Sequence, residues 1–400
     1  MIKQNITIEK TKGSWKTVSK FIVMSFLVAF FFPIAPTFST EVNLQEIALG
    51  KQLYFDKNLS YNRTQSCATC HAPNHGFVDQ QKTLFKGAVS LGDDGKSFGD
   101  RSAPTASYAN YIPDFQQRED GKYIGGQFWD GREKNLEGQA GGPPLNPIEM
   151  GMPSKYLVVQ RIKENSKYVS TFKEVYGNAI FSHTDNIYAA LTSSIAAFEK
   201  TAFFSPFNSK YDRYLQGDYQ LSEEEDLGMT LFFSEQFTNC NQCHQLQSRP
   251  AVKHETFTDY TFHNIGVPVN TAVRDYNKSP TEYQDLGLFN HPSINDPKHM
   301  GQFKVPTLRN VAVTAPYMHN GVFKELKTVL DFYNKYNSKN KKRQTNPETN
   351  EPWAPPEVTD TISFEELESG PALDNKRIQA LIAFLKILTD QRFEYLIDKE

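Results

Sequence analysis

Cysteine is scarce in this chain, with four residues among 400, and all four lie in two short motifs. No further cysteine is available for a structural disulfide, so stability has to come from packing and from bound groups. An excess of charge of one sign is also lacking, since 43 lysines and arginines stand against 46 aspartates and glutamates. This balance gives no indication of nucleic-acid binding, and we expect no nucleic acid among the partners.

Long apolar runs are equally rare. The run from Phe21 to Ala35 follows a lysine-bearing start, and it is shorter than the ~20 residues that a membrane-spanning helix needs. A basic start followed by a short apolar run is typical of an export signal. We therefore predict that residues 1–40 are a signal peptide, cleaved near Ser39 or Thr40, and that the mature protein is periplasmic. An uncleaved membrane anchor is the alternative.

The two cysteine motifs are copies of Cys-x-x-Cys-His. At this spacing both thiols reach the two vinyl groups of one porphyrin, and the imidazole that follows ligates the iron. The alternative is a zinc or redox CxxC site with a chance histidine, which would have to occur twice and use every cysteine. We predict two covalent haem c groups, and their attachment residues are Cys67, Cys70 and His71 at the first site and Cys240, Cys243 and His244 at the second.

An internal repeat accompanies the motifs. Leu49-Gly50-x-x-Leu53-Tyr54-Phe55 precedes the first motif, and Leu227-Gly228-x-x-Leu231-Phe232-Phe233 precedes the second. Each copy has the spacing of a short amphipathic helix that leads into a haem site. Strand signals are few and short, so the fold class is mainly α. We predict two cytochrome c-like domains, residues 41–205 with the first haem and residues 206–400 with the second.

Two features near the C-terminus give further expectations. Asp374 is a candidate N-cap for a final helix with Ile378, Leu381 and Leu385 on one face, which should close the second domain. The preceding segment, residues 337–370, is rich in Pro, Lys, Asn and Glu. Such a composition predicts a disordered surface loop.

The function of a c-type haem depends on its second axial position. If both irons have two side-chain ligands the protein only transfers electrons, whereas an open iron binds peroxide or oxygen. His75 lies on the proximal side of the first motif, and no other histidine occurs from Gly76 to Ser182. The first iron is therefore expected to be open unless Met150 or Met152, which are more typical of a core, ligates it.

A carboxylate and an amide that could assist peroxide cleavage follow the first motif in the same histidine-free stretch of sequence. Gln127 begins the stretch QFWDGR, and Glu137 comes shortly after it. Beside an open haem, such a pair shuttles the peroxide proton from the inner to the outer oxygen, so that water leaves. The competing interpretation is a turn and a helix cap with solvated charges.

The second iron has three candidate ligands in the segment from Gly301 to Lys335. These are Tyr333, Met318 and His319. Tyr333 shares a helical face with Leu326, Val329 and Leu330, so one face of a helix presents the phenol. Phenolate ligation stabilises ferric iron, whereas thioether ligation favours ferrous iron and a higher potential. The competing interpretation of Tyr333 is a core aromatic residue.

Taken together, these residues resemble the bacterial dihaem cytochrome c peroxidases and, more closely, their MauG-type relatives. The resemblance covers nearly all of the mature chain and includes several motifs in order: SCATCHAP (66–73), RSAPT (101–105), QFWDGR (127–132), NPIEMG (146–151), FHNIG (262–266) and VPTLRN (305–310) with TAPYMHNG (314–321). The resemblance implies an α-helical protein in which the N-terminal haem reacts with peroxide and the C-terminal haem relays electrons.

The resemblance also implies roles for individual residues. Gln127 and Glu137 match the family's distal pair. The family's second-haem ligand lies seventeen residues past the proline of the TxPY motif, and counting from Pro316 gives Tyr333. A methionine at this position is typical of the peroxidases, and a tyrosine is typical of the MauG-type enzymes. Met318 is the alternative ligand. One calcium ion is expected between the domains, and the matching residues are Ser102, where the family has asparagine, Thr314 and Pro316.

Three departures from the family pattern bear on function. The segment from Lys82 to Gly99 lacks the family's distal histidine, so reductive activation is not expected. Phe237-Thr238-Asn239 replaces the tryptophan that MauG-type enzymes use for hole transfer to a partner. The family's tryptophan between the haems is not evident either, and Tyr108 or Tyr111 is the expected substitute.

These features predict a dihaem peroxidase that reduces hydrogen peroxide with electrons from a small cytochrome c or copper protein. Two alternatives remain open at this point. One is MauG-like oxidation of side chains in a partner protein, and the other is a non-catalytic dihaem electron-transfer cytochrome with both irons six-coordinate.

Overall fold

The structure is a computed structural model, and it describes residues 44–246 and 254–397. The predicted signal peptide, residues 1–40, lies outside the described residues. In the two described ranges, no helix combines the length and the apolar character needed to cross a membrane.

The fold is mainly helical, as the sequence predicts, and the sheets in the described ranges are two antiparallel pairs of two-residue strands. The strands β1 and β2 pair with each other, as do β3 and β4: Gln116–Gln117, Tyr123–Ile124, Phe262–His263 and Phe303–Lys304. The helices α1 to α13 are Leu44–Tyr54, Cys67–Cys70, Leu136–Gly141, Lys155–Lys163, Ser166–Tyr176, Thr184–Glu199, Lys210–Gln216, Glu223–Phe233, Thr271–Asn277, Leu326–Asn334, Phe364–Leu367, Asn375–Ile387 and Glu394–Ile397.

The largest apolar clusters are two separate cores. The first is built mainly from residues 49–204 and includes Leu53, Phe172 and Leu191. The second is built from residues 211–388. The division into two domains at residue 205 stays a prediction. Phe393 packs into the first core although it is far from most of that core in the sequence. This part of the chain therefore packs with residues 49–204.

The sequence repeat corresponds to a repeated helix crossing. Helix α1 packs on α6, and α8 packs on α12. A Cβ atom at Gly50 would overlap the carbonyl oxygen of Ser194 in α6, and one at Gly228 would overlap the carbonyl oxygen of Ala380 in α12. The glycine of each repeat therefore lets the helix before a haem motif lie directly against a partner backbone.

Replacing Gly228 by alanine is expected to destabilise the protein by about 1–3 kcal/mol, because the α8 and α12 backbones must separate. Gly141→Ala is the matched control: Gly141 is also helical, and its added Cβ would lie 3.5 Å from side-chain atoms of Thr192 and Tyr188, an ordinary contact. Thermal unfolding of both variants measures the difference. Equal melting temperatures would show that the close crossing is not needed.

The final helix has the predicted cap, since Asp374 accepts a hydrogen bond from the Arg377 backbone N–H at 2.8 Å. The prediction of a disordered loop for residues 337–370 is wrong. Trp353 packs with Phe323 and Phe332 at ring-centroid distances of 5.7 and 5.4 Å, and its indole N–H donates to a backbone carbonyl. Trp353 is one of several side chains that anchor this segment, whose overall composition is polar.

Candidate haem-binding and catalytic site

The first haem motif forms a single helical turn, α2, and His71 follows it directly. The Nδ1 atom of His71 lies 3.3 Å from the carbonyl oxygen of Phe77, and the Tyr54 hydroxyl donates to the His71 carbonyl at 3.2 Å. When Nδ1 donates to a carbonyl, Nε2 keeps its lone pair for a metal. Burial lowers the pKa of His71, which favours the neutral imidazole that ligation requires.

The second motif repeats this geometry. The turn Cys240–Gln242 leads to His244, whose Nδ1 lies 3.0 Å from the carbonyl oxygen of Phe257. Burial lowers the pKa of His244 as well. In both motifs, therefore, the histidine is neutral and its Nδ1 atom faces a phenylalanine carbonyl. The Nε2 atom is left to bind iron in both.

The four cysteines are unpaired thiols. Burial raises the pKa of Cys67 and of Cys243 to about 12, which argues against reactive redox thiols. Across the described ranges, no group of three or more His, Cys, Asp or Glu side chains is arranged to hold a metal ion, so the zinc interpretation has no support. Two thiols and one oriented histidine per motif fit a covalently attached haem.

A cavity of about 220 Å³ adjoins the second motif and is lined by Cys240, Cys243 and His244. The three candidate second ligands, Tyr333, Met318 and His319, line the same cavity. Most of its remaining wall is apolar and includes Leu326, Val329, Leu330, Leu381 and Leu385, which suits the faces of a porphyrin. Burial raises the pKa of Tyr333. The predicted helical face therefore points into the cavity, and the choice of ligand among the three stays a prediction.

A second cavity, of about 150 Å³, has no residue of the first motif in its lining but adjoins that motif through Pro104. Pro104, whose backbone interacts with the His71 ring, lines it together with Gln127 and Tyr108. Gln127 is buried, and its amide nitrogen lies 3.4 Å from the carbonyl oxygen of Ala109. The amide of the predicted pair therefore faces the space near the first histidine.

Glu137 lies in the first turn of α3 and forms an ion pair with Lys200, with 2.5 Å between Nζ and Oε1. Among the described residues, Glu137 and Gln127 share no hydrogen bond, so the structure does not join the predicted pair directly. Their joint role stays a prediction.

Glu199, at the end of α6, is a buried carboxyl that the sequence reasoning missed. It is 6% exposed, and its Oε2 atom has no hydrogen-bond partner among the described residues. Burial, and then the charge of Glu137, raise the pKa of Glu199 to about 8. It also lies within electrostatic reach of Cys67. A charged residue directly after Ala196-Ala197-Phe198 in an apolar helix was the signal in the sequence.

Trp129 and Lys304 line both cavities. The Trp129 indole N–H donates to the Ser102 carbonyl at 2.9 Å, and the Lys304 backbone N–H donates to the Trp129 carbonyl at 2.9 Å. Tyr108, one of the two tyrosines expected between the haems, lines only the cavity near the first motif. Tyr317 also lines both cavities. Trp129 and Tyr317 are therefore the aromatic residues of the described ranges that border both.

The residues expected at calcium, Ser102, Thr314 and Pro316, all line the cavity near the first motif. The Ser102 hydroxyl already donates to the Met318 carbonyl at 3.0 Å. These three residues supply neutral oxygen atoms and no carboxylate, which is a poor fit to the carboxylate-rich sites that bind calcium tightly. No step in the function is assigned to this ion.

Comparison with known proteins gives a consistent result. Residues 44–220 match the family described as di-haem cytochrome c peroxidase. The chain is 46% identical to the methylamine utilization protein MauG of Paracoccus denitrificans, over 88% of this chain and 90% of that protein. It is 34% identical to the cytochrome c peroxidase Ccp of Escherichia coli, over 69% of this chain and 50% of that protein.

Solved structures agree with these relatives. The diheme peroxidase BthA from Burkholderia thailandensis superposes with a TM-score of 0.76 at 28% identity, covering 87% of each chain. A MauG-like protein associated with microbial copper homeostasis superposes with a TM-score of 0.64 at 29% identity, covering 87% of this chain and 92% of the other.

Proposed function

Because this chain belongs to the di-haem cytochrome c peroxidase family that includes MauG, we propose that it is an exported peroxidase that reduces hydrogen peroxide with electrons from a small redox protein. The donor is a small cytochrome c or copper protein, and the compartment is the periplasm. The observation that most supports two haem sites is their matched geometry, a histidine after each thiol pair with Nδ1 on a phenylalanine carbonyl.

At the first site, each residue has a defined task. Haem attached there would supply the redox chemistry, with His71 as its protein ligand. Gln127 orients peroxide through its amide, and Glu137 accepts the proton of the inner oxygen and returns it to the outer one. The ion pair with Lys200 holds the Glu137 side chain in place.

At the second site, His244 and Tyr333 are the proposed ligands, with Met318 as the alternative. A phenolate ligand stabilises oxidised iron, so this site suits storage of an oxidising equivalent better than delivery of electrons at high potential. Trp129 and Tyr317, which both border the two cavities, are aromatic groups placed to connect the two sites.

Oxidation of side chains in a partner protein is the second candidate function. The 46% identity to MauG over nearly the whole length favours it. The segment Phe237-Thr238-Asn239 argues against the partner that MauG-type enzymes use, because the tryptophan expected there for hole transfer is replaced. Detection of crosslinks or of hydrogen loss by mass spectrometry in a co-purified protein would favour this candidate over peroxide reduction.

Cysteine variants test the assignment of the two sites. The holoprotein is expected to contain two covalent haems per chain, and the double variant Cys67→Ser, Cys70→Ser is expected to retain one haem and to lose peroxide turnover and cyanide binding. The double variant Cys240→Ser, Cys243→Ser is the matched control and should still bind cyanide. Haem content and cyanide titration measure both. Cyanide binding that survives loss of the first pair would overturn the proposed site.

A further inference from the structure

Tyr108 has an unusual environment in the wall of the cavity that contains Gln127. It is 1% exposed, and its backbone has φ +61° and ψ 10°. A bulky residue rarely adopts this left-handed conformation, and it persists where the surrounding structure determines it. The strain shows that the fold holds this phenol in one place.

The Tyr108 hydroxyl lies between a base and a donor. It donates a short hydrogen bond to the Oδ1 atom of Asp390, which is fully buried. It also accepts a hydrogen bond from the Phe207 backbone N–H at 3.3 Å. The other carboxylate oxygen of Asp390 accepts from the Asn310 amide at 2.9 Å, so the carboxylate is oriented toward the phenol.

The charge next to the ring determines which form of oxidised tyrosine is possible. The Arg309 guanidinium lies 5.5 Å from the centre of the Tyr108 ring. Arg309 is ion-paired with the buried Asp212 carboxylate, so its charge is partly neutralised. The remaining charge, together with the burial of the ring, disfavours a positive charge on the ring. Oxidation therefore requires that the phenolic proton leaves together with the electron, and the carboxylate of Asp390 is in direct contact to take it.

We propose that Tyr108 is a redox-active tyrosine that supplies one electron to the peroxide-oxidised first haem site while its proton passes to Asp390. This inference rests on the proposed function, because hydrogen peroxide is the oxidant. The phenolic O–H bond breaks, Tyr108 becomes a neutral phenoxyl radical, and Asp390 becomes a carboxylic acid. An electron from the donor and the proton from Asp390 then restore the phenol. The Phe207 N–H stabilises the radical oxygen.

Two further observations support this role. Burial raises the pKa of Asp390, which makes its carboxylate a better proton acceptor. Tyr111 lies 6.5 Å from Tyr108 between ring centroids and is only partly buried, so an aromatic side chain leads from Tyr108 toward solvent. An electron from a donor at the surface can therefore reach the Tyr108 phenol through the Tyr111 ring.

A purely structural role is the competing explanation, since the Tyr108–Asp390 bond joins residues far apart in the chain. Tyr260 provides the matched control. It is a buried tyrosine that lines the same cavity, but its hydroxyl donates to the Thr256 hydroxyl at 2.8 Å, which is not a base. If burial beside the cavity were sufficient for oxidation, the two tyrosines would behave alike.

The test is freeze-quench EPR of the dihaem protein mixed with stoichiometric hydrogen peroxide, with ring-deuterated tyrosine to identify tyrosyl signals. We expect a tyrosyl radical in the wild type and in Tyr260→Phe, and at least a tenfold smaller signal in Tyr108→Phe. Asp390→Asn keeps the shape of the hydrogen-bonding group without the base, and it should lower the radical yield although Tyr108 is present. Haem absorbance and thermal unfolding confirm that each variant is folded.

The outcomes separate this inference from the proposed function. If the haem absorbance of the wild type responds to peroxide but Tyr108→Phe keeps the full tyrosyl signal, or the wild type has none, the redox role of Tyr108 is wrong and peroxide reduction stands. An Asp390→Asn variant with a wild-type radical yield would also overturn the proton transfer. If the wild-type haems do not respond to peroxide at all, both proposals are wrong.

Discussion

Glu137→Gln is expected to lower the rate of peroxide turnover by about 10²–10⁴-fold while both haems stay attached, because glutamine preserves the size of the side chain and cannot accept a proton. The ion pair with Lys200 places the Glu137 carboxylate at the surface of α3 facing α6. Steady-state turnover with a reduced small cytochrome as donor measures the effect, and haem absorbance shows that the site is intact.

Glu133→Gln is the control for this prediction. Glu133 shortly precedes α3 in the sequence and has no role in the proposed peroxide chemistry. It should keep nearly full turnover. Full turnover in Glu137→Gln would remove the acid–base role of this carboxylate, whatever the control shows.

Tyr333→Met is expected to raise the reduction potential of the second haem by a substantial part of the roughly 0.8 V range that axial ligands span. Thioether ligation favours ferrous iron, whereas phenolate ligation favours ferric iron. Spectroelectrochemical titration measures the potential of each haem separately, and the potential of the first haem should change little.

Met318 offers the matched control, because it lines the same cavity as Tyr333. Met318→Leu should leave the potential of the second haem nearly unchanged if Tyr333 is the ligand. The reverse result would be a large shift of the potential in Met318→Leu and none in Tyr333→Met. It would show that the Met318 thioether is the ligand and that the second site resembles an ordinary electron-transfer haem.

The sequence predicts best the features that depend on neighbouring residues. Each histidine directly follows its thiol pair, so both haem sites were identifiable from the spacing alone. The Asp374 cap and the face of α10 that presents Tyr333 also follow from local periodicity. The paired glycines Gly50 and Gly228 were visible as a repeat, although the need for glycine became clear only from the backbone carbonyls opposite them.

Features that depend on distant parts of the chain were not predictable. The bond between Tyr108 and Asp390 joins residues 282 positions apart, and no local pattern links them. Glu199 stands out in the sequence as a charge directly after an apolar stretch, but the sequence alone does not show that it is buried. The polar segment 337–370 was expected to be disordered because composition averages over a whole segment, whereas a few apolar side chains, among them Trp353, anchor it.

Low-temperature EPR of the ferric protein, before and after stoichiometric hydrogen peroxide, tests the central claim that one iron is open and reacts with peroxide. We predict one high-spin signal from the haem at His71 and one low-spin signal from the haem at His244, both lost when peroxide is added. Two low-spin signals that peroxide leaves unchanged would contradict the account, because both irons would then have two protein ligands.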